Sequence, residues 1–171
     1  MTLDQLLDLV EQGRDRFDGS EVVDDRAHAL QAAALAHADG AGDDLLLAAL
    51  LHDIGHHPLL CARFPGMRHE QVAAAVLTPF LEADATFAVR EHVAAKRHLA
   101  ATEPGYLASL SPASAASLQR QGGAAVLPRL GEGHGPLALR LRRWDDRAKV
   151  LGVAEPAGLL AYCRSLVAGR T

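Results

Sequence analysis

The stretch Leu45-Leu46-Leu47-Ala48-Ala49-Leu50-Leu51-His52-Asp53-Ile54-Gly55-His56-His57 begins as a purely apolar run and ends in chemically active side chains. On a continuing helix, His56 lies four residues past His52 and therefore on the same face. Burying imidazoles and a carboxylate costs several kcal/mol unless a metal ion or a hydrogen-bond network satisfies them. The stretch therefore predicts a buried helix that carries a metal-binding or catalytic group at its end.

The composition of the chain favours packed helices. Of its 171 residues, 49% are apolar and only 4% are aromatic. Abundant Ala and Leu suit helices better than a β-sandwich, which needs more Val, Ile, Thr and Tyr. No alternating strand pattern lasts more than a few residues, and the length suffices for one domain with a substantial core. We therefore expect an all-α fold, a compact helical bundle that forms a single domain over residues 1–171.

Charge and the chain's apolar runs limit the expected partners. The net charge of −4 provides no basic field that would attract nucleic acid. No apolar run approaches the roughly 20 residues that a membrane helix needs, and Met1–Gln5 lacks the basic start of a signal peptide. Cys61 and Cys163 fit neither a metal spacing nor a disulfide framework. These features predict a cytoplasmic protein that binds neither nucleic acid nor membrane.

Capping residues, prolines and glycines divide the chain into predicted helices. Thr2 and Gln5 form a capping box, and Ser111-Pro112 places a capping serine before a proline at the first helical position. Pro58 is expected to stop the helix of the apolar run near His57. The predicted helices span about residues 2–12, 21–38, 43–57, 68–82, 84–100, 112–121 and 136–152, with a last helix from about 155.

Several titratable residues lie on separate predicted helices, and each has an ordinary explanation when taken alone. The chain contains nine histidines. His28 follows two aspartates and suits a surface, while His69-Glu70 suits a solvated helix start. Lys96 suits an exposed helix face, and Asp146 suits a salt-bridged surface helix. Individually, these residues do not identify a site.

The order of these residues resembles that of the HD-domain metalloprotein superfamily. In that superfamily, a histidine, a His-Asp pair, two further histidines and an aspartate come from different helices. The matching residues are His28, His52-Asp53, His69, His92 and Asp146. Six ligands of this kind suit two cations that share a bridging carboxylate. A version without the two middle histidines would imply one metal.

Further motifs resemble those of the small HD-domain diiron phosphonate oxygenases, which are relatives of myo-inositol oxygenase. The similarity covers about residues 15–150, with the metal-binding core expected over about residues 20–150. The matching stretches are Leu50–His56, Arg68–Glu70, Glu91–Arg97, Leu110–Gly123 and Leu141–Lys149. The His-Asp pair alone is common to many phosphohydrolases. The succession His-x-x-x-Lys, Ser-Pro-x-Ser and Arg-Arg-Trp-Asp-Asp is much more specific.

The resemblance implies a mixed-valent pair of two iron ions, Fe(II)/Fe(III). One iron would be held by His28, His52, Asp53 and Asp146, and the other by His69 and His92, with Asp53 bridging the two. The implied reaction is oxidative cleavage of the carbon–phosphorus bond of a small organophosphonate with O2. For 2-amino-1-hydroxyethylphosphonate, the products would be glycine and phosphate.

The resemblance also implies a pocket for the phosphonate group. The residues at the matching positions are His56, Lys96, Ser114, Ser117, Gln121 and Arg143. A phosphonate dianion is best held by a fixed cation, a planar guanidinium and neutral donors. Ser114 lies in the first turn of a predicted helix, where free N–H groups favour an anion. His56 and Lys96, together with Asp53, are the expected catalytic residues.

One position departs from the family pattern at the expected mouth of the site. The family often has a tyrosine three residues before a glutamate, and this chain has Asp18 and Glu21 at those positions. As a hypothesis, the two carboxylates favour a substrate with a cationic end, with Glu21 contacting it. The alternative is that both carboxylates are ordinary solvent-exposed charges, one in a loop and the other at the start of a helix.

Two other functions remain open from the sequence. A hydrolytic HD protein would use the same cluster to hold Mn, Mg, Zn or Co and to activate a water for attack on a phosphomonoester or nucleotide. A degenerate HD fold would act as a binding or regulatory module. The middle histidines, Lys96 and the Ser-Pro-x-Ser helix favour the oxygenase over the hydrolase, and the filled ligand positions disfavour the module.

Overall fold

The computed structural model describes residues 1–17 and 21–168, and these residues form helices joined by loops, with no β-strand among them. The helices are α1 (Leu3–Glu11), α2 (Asp25–Ala38), α3 (Asp43–Leu51), α4 (Pro58–Arg63), α5 (His69–Leu77), α6 (Ala83–Thr102), α7 (Tyr106–Ser109), α8 (Pro112–Arg120), α9 (Gly135–Arg147) and α10 (Leu159–Val167). Short 3₁₀ turns span Ile54–His56 and Pro128–Leu130. The prediction of an all-α fold is confirmed.

Helix α3 lies at the centre of the fold because it is apolar around its whole circumference. Every residue from Leu45 to Leu51 is buried, as expected for a helix without a polar face. Helices α2, α6 and α9 pack around α3, and α6 also packs along α5 and α9. The C-terminal end of α3 therefore points into the space between four helices, and this is where the polar part of the central stretch lies.

The prediction that the central helix continues to about His57 is wrong. Helix α3 ends at Leu51 with His52 as its C-cap, and Asp53 leaves the helical region at φ −100° and ψ 7°. His57 is extended, at φ −65° and ψ 131°, because it precedes Pro58, which begins α4. His52 and His56 are consequently separated by a 3₁₀ turn and do not share one face of a continuous helix.

A close approach of two backbones fixes that turn against α5. A Cβ atom added at Gly55 would lie 2.1 Å from the carbonyl oxygen of His69. Only glycine permits such contact between a turn and the first residue of a helix. The packing brings the N-terminus of α5, with His69, directly beside the residues that follow α3.

The second helix starts four residues later than predicted. It begins at Asp25, and the side chain of Asp24 caps it by accepting a hydrogen bond from the amide of Ala27 at 2.7 Å. Asp18 lies outside the described residues. In the described part of the chain, no helix combines the length and apolarity needed to cross a membrane.

Candidate active site

Six side chains from five parts of the fold meet at the C-terminal end of α3. They are His28 of α2, His52 and Asp53 after α3, His69 at the start of α5, His92 of α6 and Asp145 of α9. Their ligand atoms form two groups, each with all atoms within 4.8 Å of one another: His28, His52, Asp53 and Asp145 in one, and Asp53, His69 and His92 in the other. Asp53 belongs to both groups.

The carboxylate of Asp53 lies between the two pairs of histidines. Its Oδ2 atom is 3.5 Å from Nε2 of His28 and 3.3 Å from Nε2 of His52. Its Oδ1 atom is 3.5 Å from Nε2 of His69 and 3.4 Å from Nε2 of His92. Each oxygen therefore faces one pair, which is the arrangement that a carboxylate bridging two cations requires.

Hydrogen bonds behind the rings orient the histidines. Nδ1 donates to a main-chain carbonyl oxygen in three of them: His28 to Ala148 at 2.9 Å, His52 to Ala49 at 2.9 Å and His92 to Val89 at 2.7 Å. A carbonyl oxygen can only accept, so in the neutral ring the lone pair is on Nε2. This is the supporting pattern that accompanies histidine ligands of metals.

The resulting set of donor atoms fits metal ions. Nε2 of His28 and Nε2 of His52 face each other at 3.3 Å, and Nε2 of His69 and Nε2 of His92 do so at 3.2 Å. Neutral rings in this position would point lone pairs at each other and at carboxylate oxygens, an arrangement that a metal ion, or a proton on one of the rings, relieves. Mixed imidazole and carboxylate ligands suit iron, zinc, manganese or cobalt. The residues present therefore fit a pair of such ions.

Both aspartates of the cluster are held in the ionised form. Burial alone would raise the pKa of Asp145, but the positive charges of Arg142 and Lys149 bring it well below its usual range. Burial likewise opposes ionisation of Asp53, and the neighbouring histidines, His52 first, bring its pKa well below the usual value. Ionised carboxylates are the form that a metal binds.

The structure places Asp145 in this cluster, and the prediction of Asp146 is corrected by one residue. Oδ1 of Asp145 lies 3.4 Å from Nε2 of His28. Asp146 points away from the histidines and accepts hydrogen bonds from the hydroxyl of Tyr106 at 2.5 Å and from Nε of Arg142 at 3.0 Å. Successive residues of a helix point about 100° apart, so only one of two adjacent aspartates can face the cluster.

The same one-residue shift applies to the predicted guanidinium. Arg143 is exposed and pairs with Glu103 through two hydrogen bonds, of 3.0 and 2.6 Å, so it does not reach the site. Arg142 is buried and lines the cavity beside the cluster. Its Nη1 atom lies 2.6 Å from Oδ2 of Asp145, which fixes that carboxylate towards the histidines.

The spacing of apolar residues along α9 indicates which of its residues face inwards, and it would have favoured Asp145 over Asp146 and Arg142 over Arg143. Ala138, Leu141 and Ala148 are apolar and buried, and their spacing of three and seven residues marks the inner face of the helix. Asp145 lies four residues after Leu141 and therefore on that face. Arg142 shares it, because it precedes Asp145 by three residues.

A cavity of about 350 Å³ opens beside the cluster. Six of the seven predicted substrate-binding residues line it: Glu21, His56, Lys96, Ser114, Ser117 and Gln121. Asp53, His69 and His92 form its floor together with Asp145. The cavity therefore joins the metal-binding atoms to a wall of cationic and neutral donors.

Lys96 is the most deeply buried cation predicted for this wall. It is 3% exposed, and its ammonium group donates to the hydroxyl of Ser117 at 2.6 Å. Burial, together with repulsion from Arg142 and Lys149, lowers the pKa of Lys96 to about 8. An anion that enters the cavity would restore the charge balance around this group.

Lys149 contributes a further cation that the sequence interpretation did not assign to the site. Its Nζ atom donates to Oε1 of Glu21 at 2.9 Å and to the hydroxyl of Ser114 at 2.7 Å. It also lies 3.6 Å from Oδ1 of Asp145. Lys149 lies just beyond α9, whose C-cap is Ala148, so its place in the site follows from these contacts and not from the helical phase.

His56 and Gln121 also line the cavity; the first stacks on a histidine of the cluster, and the second has a buried oxygen without a hydrogen-bond partner among the described residues. The ring of His56 stacks on that of His69, with centroids 4.0 Å apart and planes 22° from parallel. Oε1 of Gln121 is buried, and no described residue gives it a hydrogen bond. A buried polar atom without a partner is uncommon, and here it belongs to a side chain that lines the cavity.

Known proteins resemble this chain over most of its length. The profile of the HD domain family matches residues 26–145. A hydroxymethylphosphonate dioxygenase of Gimesia maris is 38% identical over 160 residues, which are 85% of this chain and 77% of that protein. A 1-hydroxy-2-(trimethylamino)ethylphosphonate dioxygenase of Leisingera caerulea, which forms glycine betaine, is 44% identical over 101 residues, or 56% of this chain. That match spans 52%, about half, of the Leisingera protein.

Proposed function

Because this chain belongs to the HD-domain family and resembles two phosphonate dioxygenases of that family, we propose that it is a diiron oxygenase. It cleaves the carbon–phosphorus bond of a 1-hydroxyphosphonate with O2. One hydroxyphosphonate and one O2 give one carboxylic acid and one phosphate, which balances all atoms. With 2-amino-1-hydroxyethylphosphonate, the acid would be glycine. The observation that carries the proposal is the carboxylate of Asp53 between two facing pairs of histidines, beside a cationic cavity.

Each ion has its own ligands in this proposal. His28, His52, Asp53 and Asp145 would hold one iron, and His69, His92 and Asp53 would hold the other. When bound, the iron pair supplies the redox chemistry that the reaction with O2 requires.

The wall of the cavity binds the phosphonate. Lys96 supplies a buried positive charge, and the hydroxyl of Ser114, which accepts from Lys149, keeps its own proton to donate. The hydroxyl of Ser117 donates to the main-chain oxygen of Ser114 and must turn to donate to the anion. The amide of Gln121 supplies another donor from the same lining, and its buried oxygen accepts no hydrogen bond from the described residues. Arg142 adds positive potential, while its hydrogen bonds to Asp145 and Asp146 keep the guanidinium in place. A dianion in this position replaces its hydration by charge-assisted hydrogen bonds.

His56 is placed to hold a proton at the departing group. Its ring stacks on His69 and lines the cavity next to Asp53. From this position, it reaches a phosphonate oxygen on the side that faces the metal-binding atoms. An imidazole that donates a hydrogen bond there stabilises the negative charge that phosphate carries away.

A hydrolytic HD enzyme is the second candidate, favoured by the match of the general HD family profile over residues 26–145. In that case, the cluster holds Mn, Mg, Zn or Co and activates a water that attacks a phosphomonoester or nucleotide. The similarity to two dioxygenases favours the first candidate.

One experiment separates the two candidates. Protein loaded with iron under argon is given 1-hydroxyphosphonates, and phosphate is followed by phosphorus NMR before and after O2 is admitted. We expect phosphate only after O2 enters, and an EPR signal from a coupled Fe(II)/Fe(III) pair in the loaded protein. Zinc-loaded protein serves as the control and should release none. Release without O2, or only from phosphate esters, would establish hydrolysis instead.

A further inference from the structure

The carboxylate of Glu21, which is expected from the sequence to contact a cationic end of the substrate, is already paired within the protein. Oε1 of Glu21 accepts a hydrogen bond from Nζ of Lys149 at 2.9 Å, and the hydroxyl of Ser111 lies 3.3 Å from both carboxylate oxygens. The side chains of Lys149 and Glu21 are only 12% and 14% exposed. Their charges therefore compensate each other in a largely dry environment, where an ion pair is screened little.

A second, smaller cavity is also lined by this pair. It has a volume of about 70 Å³ and shares Glu21, Lys149, Asp53 and His56 with the larger cavity. Its walls are mostly apolar and include Val23, Ala29, Leu50 and Ile54. The two cavities thus meet at the metal-binding atoms, one with cationic walls and the other with apolar walls.

The remaining carboxylate of the smaller cavity is also neutralised. Asp25 lies 3.3 Å from Nη2 of Arg16, and both residues line the same cavity. Among the described residues, every carboxylate at this chamber therefore faces a cation or belongs to the histidine cluster. A positively charged group that entered would lose its hydration without finding a free counter-ion among residues 1–17 and 21–168.

We propose that the substrate is a short 1-hydroxyphosphonate without a cationic end, such as hydroxymethylphosphonate or 1-hydroxyethylphosphonate, and that the Lys149–Glu21 pair enforces this choice. The inference rests on the proposed function and narrows its substrate class. The phosphonate binds on the side of Lys96, and the hydrogen or methyl group on the hydroxylated carbon points into the apolar chamber. Lys149 is then a specificity residue, because it occupies the carboxylate that an amine would need.

A cationic substrate is disfavoured because its charge would have to replace that of Lys149 beside Glu21. To contact Glu21, an ammonium group must displace Lys149, whose own charge is then left buried beside the phosphonate pocket. Removing one partner from a buried ion pair is strongly unfavourable. A neutral end requires no such exchange and gains from the apolar walls.

Wild-type protein provides the direct test. Values of kcat/KM are measured from phosphate release, at equal iron content, for hydroxymethylphosphonate, 1-hydroxyethylphosphonate, 2-amino-1-hydroxyethylphosphonate and its trimethylammonium form. We expect at least about a tenfold preference for the two neutral substrates. A preference for a cationic substrate overturns the inference and leaves the oxygenase assignment standing. Absence of phosphate from all four overturns both.

Two variants test the part played by the ion pair. Lys149→Met removes the cation with little change in length and exposes the charge of Glu21. It should raise the ratio of kcat/KM for the amino substrate over 1-hydroxyethylphosphonate by about tenfold. Adding Glu21→Gln should return the ratio to near the wild-type value, because the freed carboxylate is gone. An unchanged ratio in Lys149→Met assigns selection to other residues and overturns the role of the pair.

Binding without turnover gives an independent measurement. Calorimetry under argon compares ethylphosphonate with 2-aminoethylphosphonate, neither of which carries the hydroxyl of the reacting carbon. We expect the dissociation constant of the amino compound to be at least about tenfold higher. Equal or tighter binding of the amino compound contradicts the inference, whatever the enzyme does with the hydroxylated substrates.

Discussion

Asp145 and Asp146 are adjacent in α9, yet their carboxylates lie in different environments. Oδ1 of Asp145 is 3.4 Å from Nε2 of His28, whereas Oδ2 of Asp146 is 2.5 Å from the hydroxyl of Tyr106. Arg142 contacts both carboxylates. One aspartate thus completes the group of possible ligands around His28, and the other holds α9 against α7. The pair offers a matched comparison within a single helix.

We expect Asp145→Asn to bind about one iron ion fewer per chain, since an amide lacks the charge of a carboxylate ligand. Phosphate release should fall by at least about 100-fold. Asp146→Asn should keep its iron and lose about 1–3 kcal/mol of stability, because Arg142 and Tyr106 lose a charged acceptor. Elemental analysis and thermal unfolding measure the two effects. The opposite pattern, with iron lost in Asp146→Asn, would restore the original sequence assignment.

Lys96 should determine how activity depends on pH. Its pKa is lowered to about 8 by burial and by the charges of Arg142 and Lys149. The positive form binds the phosphonate, so kcat/KM should fall as the pH rises through about 8, by up to tenfold per unit as for a single ionisation.

The matched variant for this prediction is Lys96→Arg, since arginine keeps its proton throughout the range. Its profile should stay flat to about pH 10, at a lower activity because the guanidinium is larger than the space for an ammonium. A profile that still falls near pH 8 would mean that another group titrates.

Arg143 should be dispensable although the sequence interpretation placed it in the phosphonate pocket. It is exposed and paired with Glu103, and such surface pairs contribute about 0–1 kcal/mol. We expect Arg143→Gln to change KM for the phosphonate by no more than about twofold. Arg142→Gln should raise KM strongly and loosen Asp145. A large rise in KM for Arg143→Gln would show that α9 turns when substrate binds.

These cases also show what the sequence could and could not decide. Residue type and order identified His28, His69 and His92 as candidates, because their succession around His52-Asp53 resembles that of the HD-domain superfamily. Residue type and order alone could not choose between Asp145 and Asp146; that choice needed the apolar spacing of Ala138 and Leu141, which marks the inner face of α9. Lys149 was missed because its partner Glu21 is 128 positions away in the chain.

The end of α3 was misjudged for a different physical reason. The apolar periodicity predicts a helix through Leu51 and gives no reason to stop before Pro58. The helix ends earlier because the turn around Gly55 packs against the backbone of His69, a tertiary contact that local propensity does not contain. The all-α fold was predictable because composition and caps determine it locally, as with Ser111-Pro112 at the start of α8.

Gly55→Ala should test the contact between that turn and α5. The new methyl group would meet the carbonyl oxygen of His69 at 2.1 Å, so the start of α5 must move. We expect a loss of about 1–3 kcal/mol in stability, together with weaker binding of one of the two ions. Gly131→Ala is the control, because Gly131 has φ −88° and its added Cβ atom would lie 3.5 Å from the nearest atom, at ordinary contact distance. Equal effects of the two substitutions would show that the turn is tolerant.

Removal of the metal ions should lower the stability of the folded protein. Without cations, Nε2 of His28 faces Nε2 of His52 at 3.3 Å, and His69 faces His92 at 3.2 Å. The repulsion is relieved when ions bind, and a ligand at 100 times its Kd stabilises the native state by about 2.7 kcal/mol. We therefore expect a chelator to lower Tm by several degrees and added Fe(II) to restore it.

The control for this effect is the exposed residue His37, which belongs to neither group of ligands. The chelator should lower the Tm of His37→Ala as much as that of the wild type. It should lower the Tm of His92→Ala less, because that variant already holds one of its ions weakly. Calorimetry at increasing Fe(II) should resolve two binding events in His37→Ala and one tight event in His92→Ala. A single event in the wild type would indicate a mononuclear centre, for which the bridging position of Asp53 would have no purpose.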